Sequence, residues 1–471
     1  MMYDIQDLSR RRNEIMQQSV AIDYSAFEYQ GIGFDYDALM RSSGYSYEDI
    51  VSIQDASMVG KTPLVELRNL TSYARKFASP GLGARIFVKD EATNLSGSFK
   101  ARRAAISVHK AKELGYKGVI AATSGNYGAA VAALAAKHGL KCIIVQECFD
   151  SRNIAQPEIL EKARACEAYG AEVIQLSVGP ELFYTFLHLL DETGYFNASL
   201  YSPYGIMGIE TLGFEIAEEV FNRFGRHPDV VVCTNAGGGN LTGTARGLRR
   251  YGASTTKVYA ASVNLQGLHM ASDHDFNRKS FTTGHTGFGI PFTTRPDRSD
   301  VPRSAARPLR YMDKYYTVTQ GSVFFITEAL SVLEGMERGP AGNTSLAVAF
   351  KLAQSMDRDA IIVVQETEYS GAGKHHQPQL SFAKGNHIDV KIGHPSDEVP
   401  GKSIVLPSSG RLLNINEVPI DTLRKSYLKN LDLKNLTQED YAFLQEELQV
   451  QSEQLISLIT SLGGFGHERK A

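Results

Sequence analysis

An α/β protein built on a parallel sheet is the fold class this sequence predicts, on three observations. Short apolar, β-branched runs recur at 84–88, 118–122, 142–145, 172–176, 230–233, 258–262 and 360–364. Several are followed by Gly, Ser or Asn and then by an Ala-rich or amphipathic stretch, the βαβ signature of a sheet covered on both faces. With 471 residues, the chain is about three times the ~150 used as a length prior per domain, which leaves room for two or three packed domains.

The elements follow in order. Residues 118–122 read as a strand, 123–128 as a glycine-containing loop, 129–138 as a helix of small residues closed by Gly139, and 142–145 as the next strand. Residues 157–169 begin with a proline in the first turn, place Ile159, Leu160, Ala163 and Cys166 on one side, and end at Gly170. Ligands of open α/β sheets sit at the carboxyl ends of strands, so the 123–128 loop is where one is sought.

Three parts depart from this rhythm. Residues 1–55 carry Tyr24, Phe27, Tyr29, Phe34 and Tyr36 without a clear period and read as an arm. Residues 265–316 form a long polar stretch with Gly284, Gly287 and Gly289 and the arginines Arg295, Arg298, Arg303, Arg307 and Arg310; loops this long are usually functional or disordered. Beyond Ile388 the β/α pattern stops, and a Pro/Gly/Ser-rich piece at 395–410 leads to a polar helical tail at 421–462. Its leucine stripes suit a partner or the body of its own subunit equally.

Composition narrows the function classes. Hydrophobic residues at 43%, charged residues at 21% and a net charge of -3 exclude a disordered, collagen-like or nucleic-acid-steered chain. Cys142, Cys148, Cys166 and Cys233 form no Cys-x-x-Cys pair, so neither a disulfide framework nor a metal cluster is expected. No apolar run approaches the ~18 residues a membrane helix needs, and residues 1–19 lack a signal-peptide core. A cytoplasmic protein is expected.

Three loops carry candidate chemistry. Ser96-Gly97-Ser98-Phe99-Lys100 opens a helical run at 101–114. A lysine in that first turn, beside Arg102 and Arg103, has its ammonium form disfavoured, which is how a Schiff-base lysine is activated. Taken alone, a surface helix lysine is the commoner outcome. Thr123-Ser124-Gly125-Asn126-Tyr127-Gly128 offers amides and hydroxyls at a helix N-terminus, suited to a carboxylate or merely to a tight β-to-α turn. Ala236-Gly237-Gly238-Gly239-Asn240-Leu241-Thr242-Gly243 follows a strand and converges several N–H groups on one point, as a compact monophosphate requires. It has neither the Gly-x-Gly-x-x-Gly spacing of a dinucleotide site nor the ending of a P-loop, and a purely structural turn remains open.

Together and in this order the three loops resemble the tryptophan-synthase-β-like family of pyridoxal-phosphate enzymes, fold type II. The resemblance spans residues 60–374, from Gly60-Lys61-Thr62-Pro63-Leu64 through Gly208-Ile209-Glu210-Thr211. It implies two parallel-sheet α/β domains with the cofactor in the cleft between them: residues 56–94 and 201–388 as the larger domain, 95–200 as the smaller, with 1–55 as the arm and 389–471 as a helical extension. It also implies that Lys100 holds pyridoxal 5'-phosphate covalently, that Asn126 bonds its phenolic oxygen, and that Gly237, Gly238, Gly239, Asn240 and Thr242 hold its phosphate. Thr123, Ser124, Gly125 and Tyr127, with Gly287 of the glycine loop at 284–291, would meet the substrate. Ser370 is the expected partner of the ring nitrogen, with Thr367 and Glu368 as rivals.

Within the family, the "RRRNEIM" opening, the "DEATNLSGSFKARRAA" block and "VVQETEYSGAGK" resemble a thiolase branch. That likeness implies cleavage of 2-amino-4-oxopentanoate by coenzyme A to acetyl-CoA and alanine, the D enantiomer being expected, in a homo-oligomer of units that each include a small α subunit. The arginines of the 265–316 stretch would then serve coenzyme A phosphates, or form a solvated basic loop paired with Asp297, Asp300 and Asp313. His269, His274 and His285 are candidate bases without an assigned role, and His375-His376 is insufficient for a metal. The competing reading is a threonine or serine ammonia-lyase, or a threonine-synthase-like enzyme, on the same fold. Intact Lys100 argues against a catalytically silent homologue.

Overall fold

A computed structural model of the chain describes residues 5–28, 32–123, 125–149, 153–155, 157–177, 181–264, 301–302, 304–369, 376–429 and 431–462. Three helices come first: α1 (Ile5–Val20), α2 (Tyr36–Ser42) and α3 (Tyr47–Ala56). The arm read as lacking a period is therefore helical. On α1 only a narrow stripe is apolar, and its Leu8, Ile15 and Met16 bury against Phe186, Leu187 and Leu190. Asp35 caps α2 and a Ser46/Asp49 capping box starts α3, so local side chains supply the donors' partners that the helix ends lack.

Strand β1 (Leu64–Glu66), helix α4 (Arg68–Arg75) and strand β2 (Arg85–Asp90) lead to α5 (Lys100–Glu113). Then come β3 (Gly118–Thr123), α6 (Asn126–His138), β4 (Lys141–Phe149), α7 (Pro157–Ala168), β5 (Glu172–Ser177), α8 (Glu181–Thr193) and β6 (Phe196–Asn197). The chain continues with α9 (Pro203–Phe224), β7 (Val230–Thr234), α10 (Gly239–Tyr251) and β8 (Lys257–Val263). After the 265–300 stretch, which lies outside the described residues, come β9 (Lys314–Val318), α11 (Gln320–Glu334), α12 (Pro340–Ala353) and β10 (Ile361–Glu366).

Strands β3 to β6 form a four-stranded parallel sheet in the order β5-β4-β3-β6. A seven-stranded sheet runs β1-β2-β10-β7-β8-β9 and ends on Asn416–Val418 (β13), parallel in its middle and antiparallel at both edges. Burial on both faces explains the unbroken apolar runs: Ile361 and Val363 enter the core shared with α9 and α10, whereas Ile362 and Val364 enter the one shared with α11 and α12. Each of the seven runs expected as strands falls on a strand, those at 84–88 and 360–364 starting one residue ahead of β2 and β10.

The last segment departs from the expected helical extension. It carries α13 (His376–Gly385), the parallel pair β11 (Asp389–Gly393) and β12 (Ser403–Pro407), and β13 (Asn416–Val418), the edge strand of the large sheet. Strand β11 buries little and has no alternating pattern to betray it. Helices α14 (Ile420–Leu428), α15 (Gln438–Leu448) and α16 (Ser452–Ser461) follow. Their Leu423, Tyr427, Leu444, Leu448, Leu455 and Leu458 share one core with Ile209, Leu212 and Leu248. The tail's apolar stripes are spent on its own subunit.

Candidate active site

The strand ends of both sheets converge on Lys100. Ahead of it, Ser96 and Gly97 take left-handed conformations with φ of 62° and 72°. This sharp turn is strapped to the segment after β10: the Phe99 N–H donates to the Thr367 carbonyl at 3.1 Å, and the Tyr369 N–H to the Gly97 carbonyl at 2.7 Å. Lys100 thus opens α5 against residues distant in sequence. Its Nζ lies 4.6 Å from the Phe99 ring centroid. Burial, reinforced by the nearby charge of Arg103 and opposed by Glu368, lowers its pKa to about 7. The amine is half neutral at neutral pH, as a nucleophilic lysine requires.

The loop after β3 is shaped by Thr123, whose hydroxyl oxygen accepts the Gly125 N–H at 3.0 Å and the Gly128 N–H at 3.2 Å. Accepting these two amides holds the loop closed and leaves the hydroxyl proton to donate. The N-cap residue of α6, Gly125, has no side chain to cap the helix, and of the first-turn amides Thr123 takes that of Gly128. Asn126 donates its side-chain N–H to Glu368, while its Oδ1 is buried without a hydrogen-bond partner. Tyr127 is buried. Ser124 lies outside the described residues.

The triple-glycine loop turns from β7 into α10. Gly238 has φ of 84°, which favours glycine, and α10 starts without a side-chain cap. A Cβ on Gly239 would collide with the Arg103 guanidinium, and one on Gly238 with the Pro308 ring. Thr242 Oγ1 and Asn240 Oδ1 are buried and lack a hydrogen-bond partner. A dipole-positive helix end with an orphaned hydroxyl offers the donors an anion would take.

Of the candidates for the ring nitrogen, Ser370 lies outside the described residues. Thr367 is buried and offers its carbonyl to Phe99. Glu368 is buried beside Asn126, contributes to the field at Lys100 and pairs by backbone with Ser98. Gly287 with the 284–291 loop, Arg295, Arg298, Arg303, His269, His274, His285 and His375 lie outside the described residues.

Two arginines of the long stretch are already engaged. Arg307 is buried, donates to Glu447 at 2.7 Å, and stacks 4.2 Å from the Tyr36 centroid and 4.5 Å from that of Phe443. Arg310 pairs with Glu446. Both anchor the chain to α15, so neither the solvated basic loop nor the phosphate role fits them. Asp313 binds Lys257 instead of an arginine.

The sequence placed Arg102 and Arg103 together beside Lys100, and the structure separates them. Arg102 turns away into ion pairs with Glu91 at 2.7 Å and Glu215 at 2.8 Å. Only Arg103 bears on Lys100. Glu366, at the end of β10, escaped notice. Both its carboxylate oxygens are buried without a hydrogen-bond partner, and burial followed by Asp90 raises its pKa well above the ordinary carboxyl range. A glutamate inside an otherwise apolar β-run was the available signal. Among the described residues, no group of three or more His, Cys, Asp or Glu is arranged to hold a metal, and no helix is long and apolar enough to cross a membrane. All four cysteines are buried and none is in a disulfide.

Comparison with known proteins agrees with this geometry. The 2-amino-4-ketopentanoate thiolase beta subunit of Acetoanaerobium sticklandii is 64% identical over 459 residues, covering 96% of this chain and 97% of that protein. A second protein of that name, from an unknown prokaryotic organism, is 59% identical over 96% of this chain and 97% of its own length. Threonine synthase of a Bacillus species is 33% identical over 195 residues, only 41% of this chain and 50% of the relative. Among solved structures, an O-ureido-L-serine synthase variant with O-ureido-L-serine bound gives a TM-score of 0.53 at 20% identity, covering 72% of this chain and 94% of that one. A hydrogen sulfide-producing enzyme of Fusobacterium nucleatum gives 0.50 at 23% identity over 68% and 98%. At these identities the structures speak for the fold alone. The profile of pyridoxal-phosphate dependent enzymes matches residues 56–368, which takes in Lys100 and both glycine loops: the chain belongs to the pyridoxal-phosphate dependent enzyme family.

Proposed function

We propose that the chain catalyses the thiolytic cleavage of 2-amino-4-oxopentanoate by coenzyme A, giving acetyl-CoA and alanine, with D-alanine as the expected product, and that it works with a small α subunit in a homo-oligomer. The observation that carries this is the 64% identity with a thiolase beta subunit over nearly the whole of both chains, tail and long stretch included. The threonine synthases match only half as much chain.

The residues present fit pyridoxal phosphate. A buried amine with a pKa near 7, an unpartnered Asn126 Oδ1 and an unpartnered Thr242 Oγ1 at a helix start answer an aldehyde, a phenolic O–H and a phosphate respectively. Lys100 is assigned as the covalent anchor and as the base that removes the proton from the substrate's α carbon. Asn126 would hold the phenolic oxygen; Gly237, Gly238, Gly239, Asn240 and Thr242 the phosphate; and Gly125 and Tyr127, with Ser124 and Gly287, the substrate carboxylate end. Thr123 keeps that loop in shape. The bound cofactor supplies an electron sink for charge developing at the α carbon. Ser370 is retained as the ring-nitrogen partner, with Thr367 and Glu368 as rivals. The larger domain is assigned to 56–94 and 201–388 and the smaller to 95–200, with the cofactor between them.

The test is product analysis by mass spectrometry of the chain with and without the α subunit, given pyridoxal phosphate, 2-amino-4-oxopentanoate and coenzyme A. Acetyl-CoA and alanine are expected. Turnover of threonine or serine without coenzyme A, and none of the amino ketone, would move the chain to the lyases.

A further inference from the structure

Arg103 sits one turn after Lys100 on α5, 1% exposed, with Nε and Nη2 donating no hydrogen bond. The groups acting on it are Tyr201 and Tyr127, and no carboxylate is among them. Its Tyr201 contact, 5.8 Å to the ring centroid, is a weak substitute for an anion. Burying a guanidinium without a counter-charge is expensive, and such a group persists where a ligand supplies the charge.

Where it points is shown by Gly239, the first residue of α10, which has no room for a Cβ because the guanidinium lies against it. The same helix start holds the orphaned Thr242 hydroxyl and the amides after Gly238. Three independent features therefore meet at one point: a helix N-terminus, a buried hydroxyl and a buried unpaired cation. Lys100 and Arg103, at i and i+3 on one helix face, have Cβ atoms about 5–6 Å apart. That separation suits neighbouring substituents of one pyridine ring, an aldehyde and a phosphate-bearing carbon.

We propose that Arg103 is the counter-cation of the cofactor's phosphate, binding it as the dianion beside the glycine-loop amides. The proposal rests on reading residues 237–242 as the phosphate loop. It also gives the Arg103 charge a second consequence: before the phosphate arrives, that charge favours a neutral Lys100, and once the phosphate is seated it is balanced.

The experiment compares the apo chain with Arg103→Met and Arg103→Lys by calorimetric titration of pyridoxine 5'-phosphate and pyridoxine, which carry no aldehyde and so leave Lys100 out. Arg103→Met is expected to weaken the phosphorylated ligand by about 10- to 100-fold, the range for a charged hydrogen bond, with pyridoxine unchanged and Arg103→Lys in between. Equal loss for both ligands, or no loss for either with a raised KM for the amino ketone, would overturn it; the latter outcome gives the guanidinium to the substrate carboxylate. Should Arg103→Met not fold, phosphorus NMR of the wild-type holoenzyme decides. A dianion held by Arg103 gives a signal constant from about pH 6 to 8, and a shift following the ordinary second ionisation near ~6 refutes it. Borohydride trapping followed by peptide mass analysis checks the underlying site separately: wild-type chain without a Lys100 adduct would fail the loop reading itself.

Discussion

Arg102 and Arg103 are adjacent in sequence, both fully buried on α5, and opposite in circumstance. Around Arg102 every charge is answered. Its guanidinium meets Glu91 at 2.7 and 2.9 Å, Glu215 at 2.8 Å and Thr211 at 2.9 Å, and Glu215 in turn receives Lys89 at 2.8 Å. Burial alone would lower the Arg102 pKa, but Glu215 and Glu91 raise it instead. Around Arg103 the same burial is unanswered and lowers its pKa to about 10. The contrast teaches how to read a buried charge. One that is balanced within the chain joins elements, here α5 to the turn after β2 and to α9; one left unbalanced marks a place completed by something else.

Four experiments sharpen or break this comparison. The largest effect belongs to Lys100→Ala, expected to lower turnover by about 10⁴-fold or more while the circular dichroism spectrum stays that of the wild type. Retained activity would remove Lys100 from the chemistry. Next, Arg102→Met strands Glu91 in the core and should cost about 3–5 kcal/mol in denaturant unfolding. Arg103→Met in the apo chain should cost none and raise the unfolding midpoint, since it removes an unpaired charge; equal destabilisation by the two would end the distinction.

The third experiment is a pH series. The Lys100 pKa is lowered, so its neutral form dominates above about 7. The rate of pyridoxal phosphate capture by the apo chain should therefore rise about ten-fold per pH unit below that value and level off above it. In Arg103→Met the inflection should move to higher pH. An unmoved inflection would show that the Arg103 charge does not reach the amine. The smallest effect is that of Thr242→Val, about three- to ten-fold in pyridoxal phosphate Kd, as for one neutral hydrogen bond.

Much of the site was legible because it is local. Lys100, the 123–128 turn and the triple glycine are contiguous motifs at strand ends, and glycine has few substitutes where φ is positive or backbones close in. Contacts between distant segments were not legible. Glu368 reaches Asn126, Thr367 straps Phe99, and Arg307 pairs with Glu447, and none of these has a spacing to read. The helices of the arm were not legible for a related reason: α1 shows only a thin apolar stripe, and its burial depends on α8 being there to receive it.

By itself, then, the sequence determined an α/β chain with a parallel sheet, an activated-lysine motif and two glycine turns in a fixed order, because periodicity and backbone freedom are properties of short segments. Only the tertiary structure decided which charges are satisfied. Arg102, Arg307 and Arg310 are held by carboxylates brought from elsewhere, whereas Arg103 is buried with none. Electrostatic balance depends on distances across the fold, and those exist only once the strands and helices have packed.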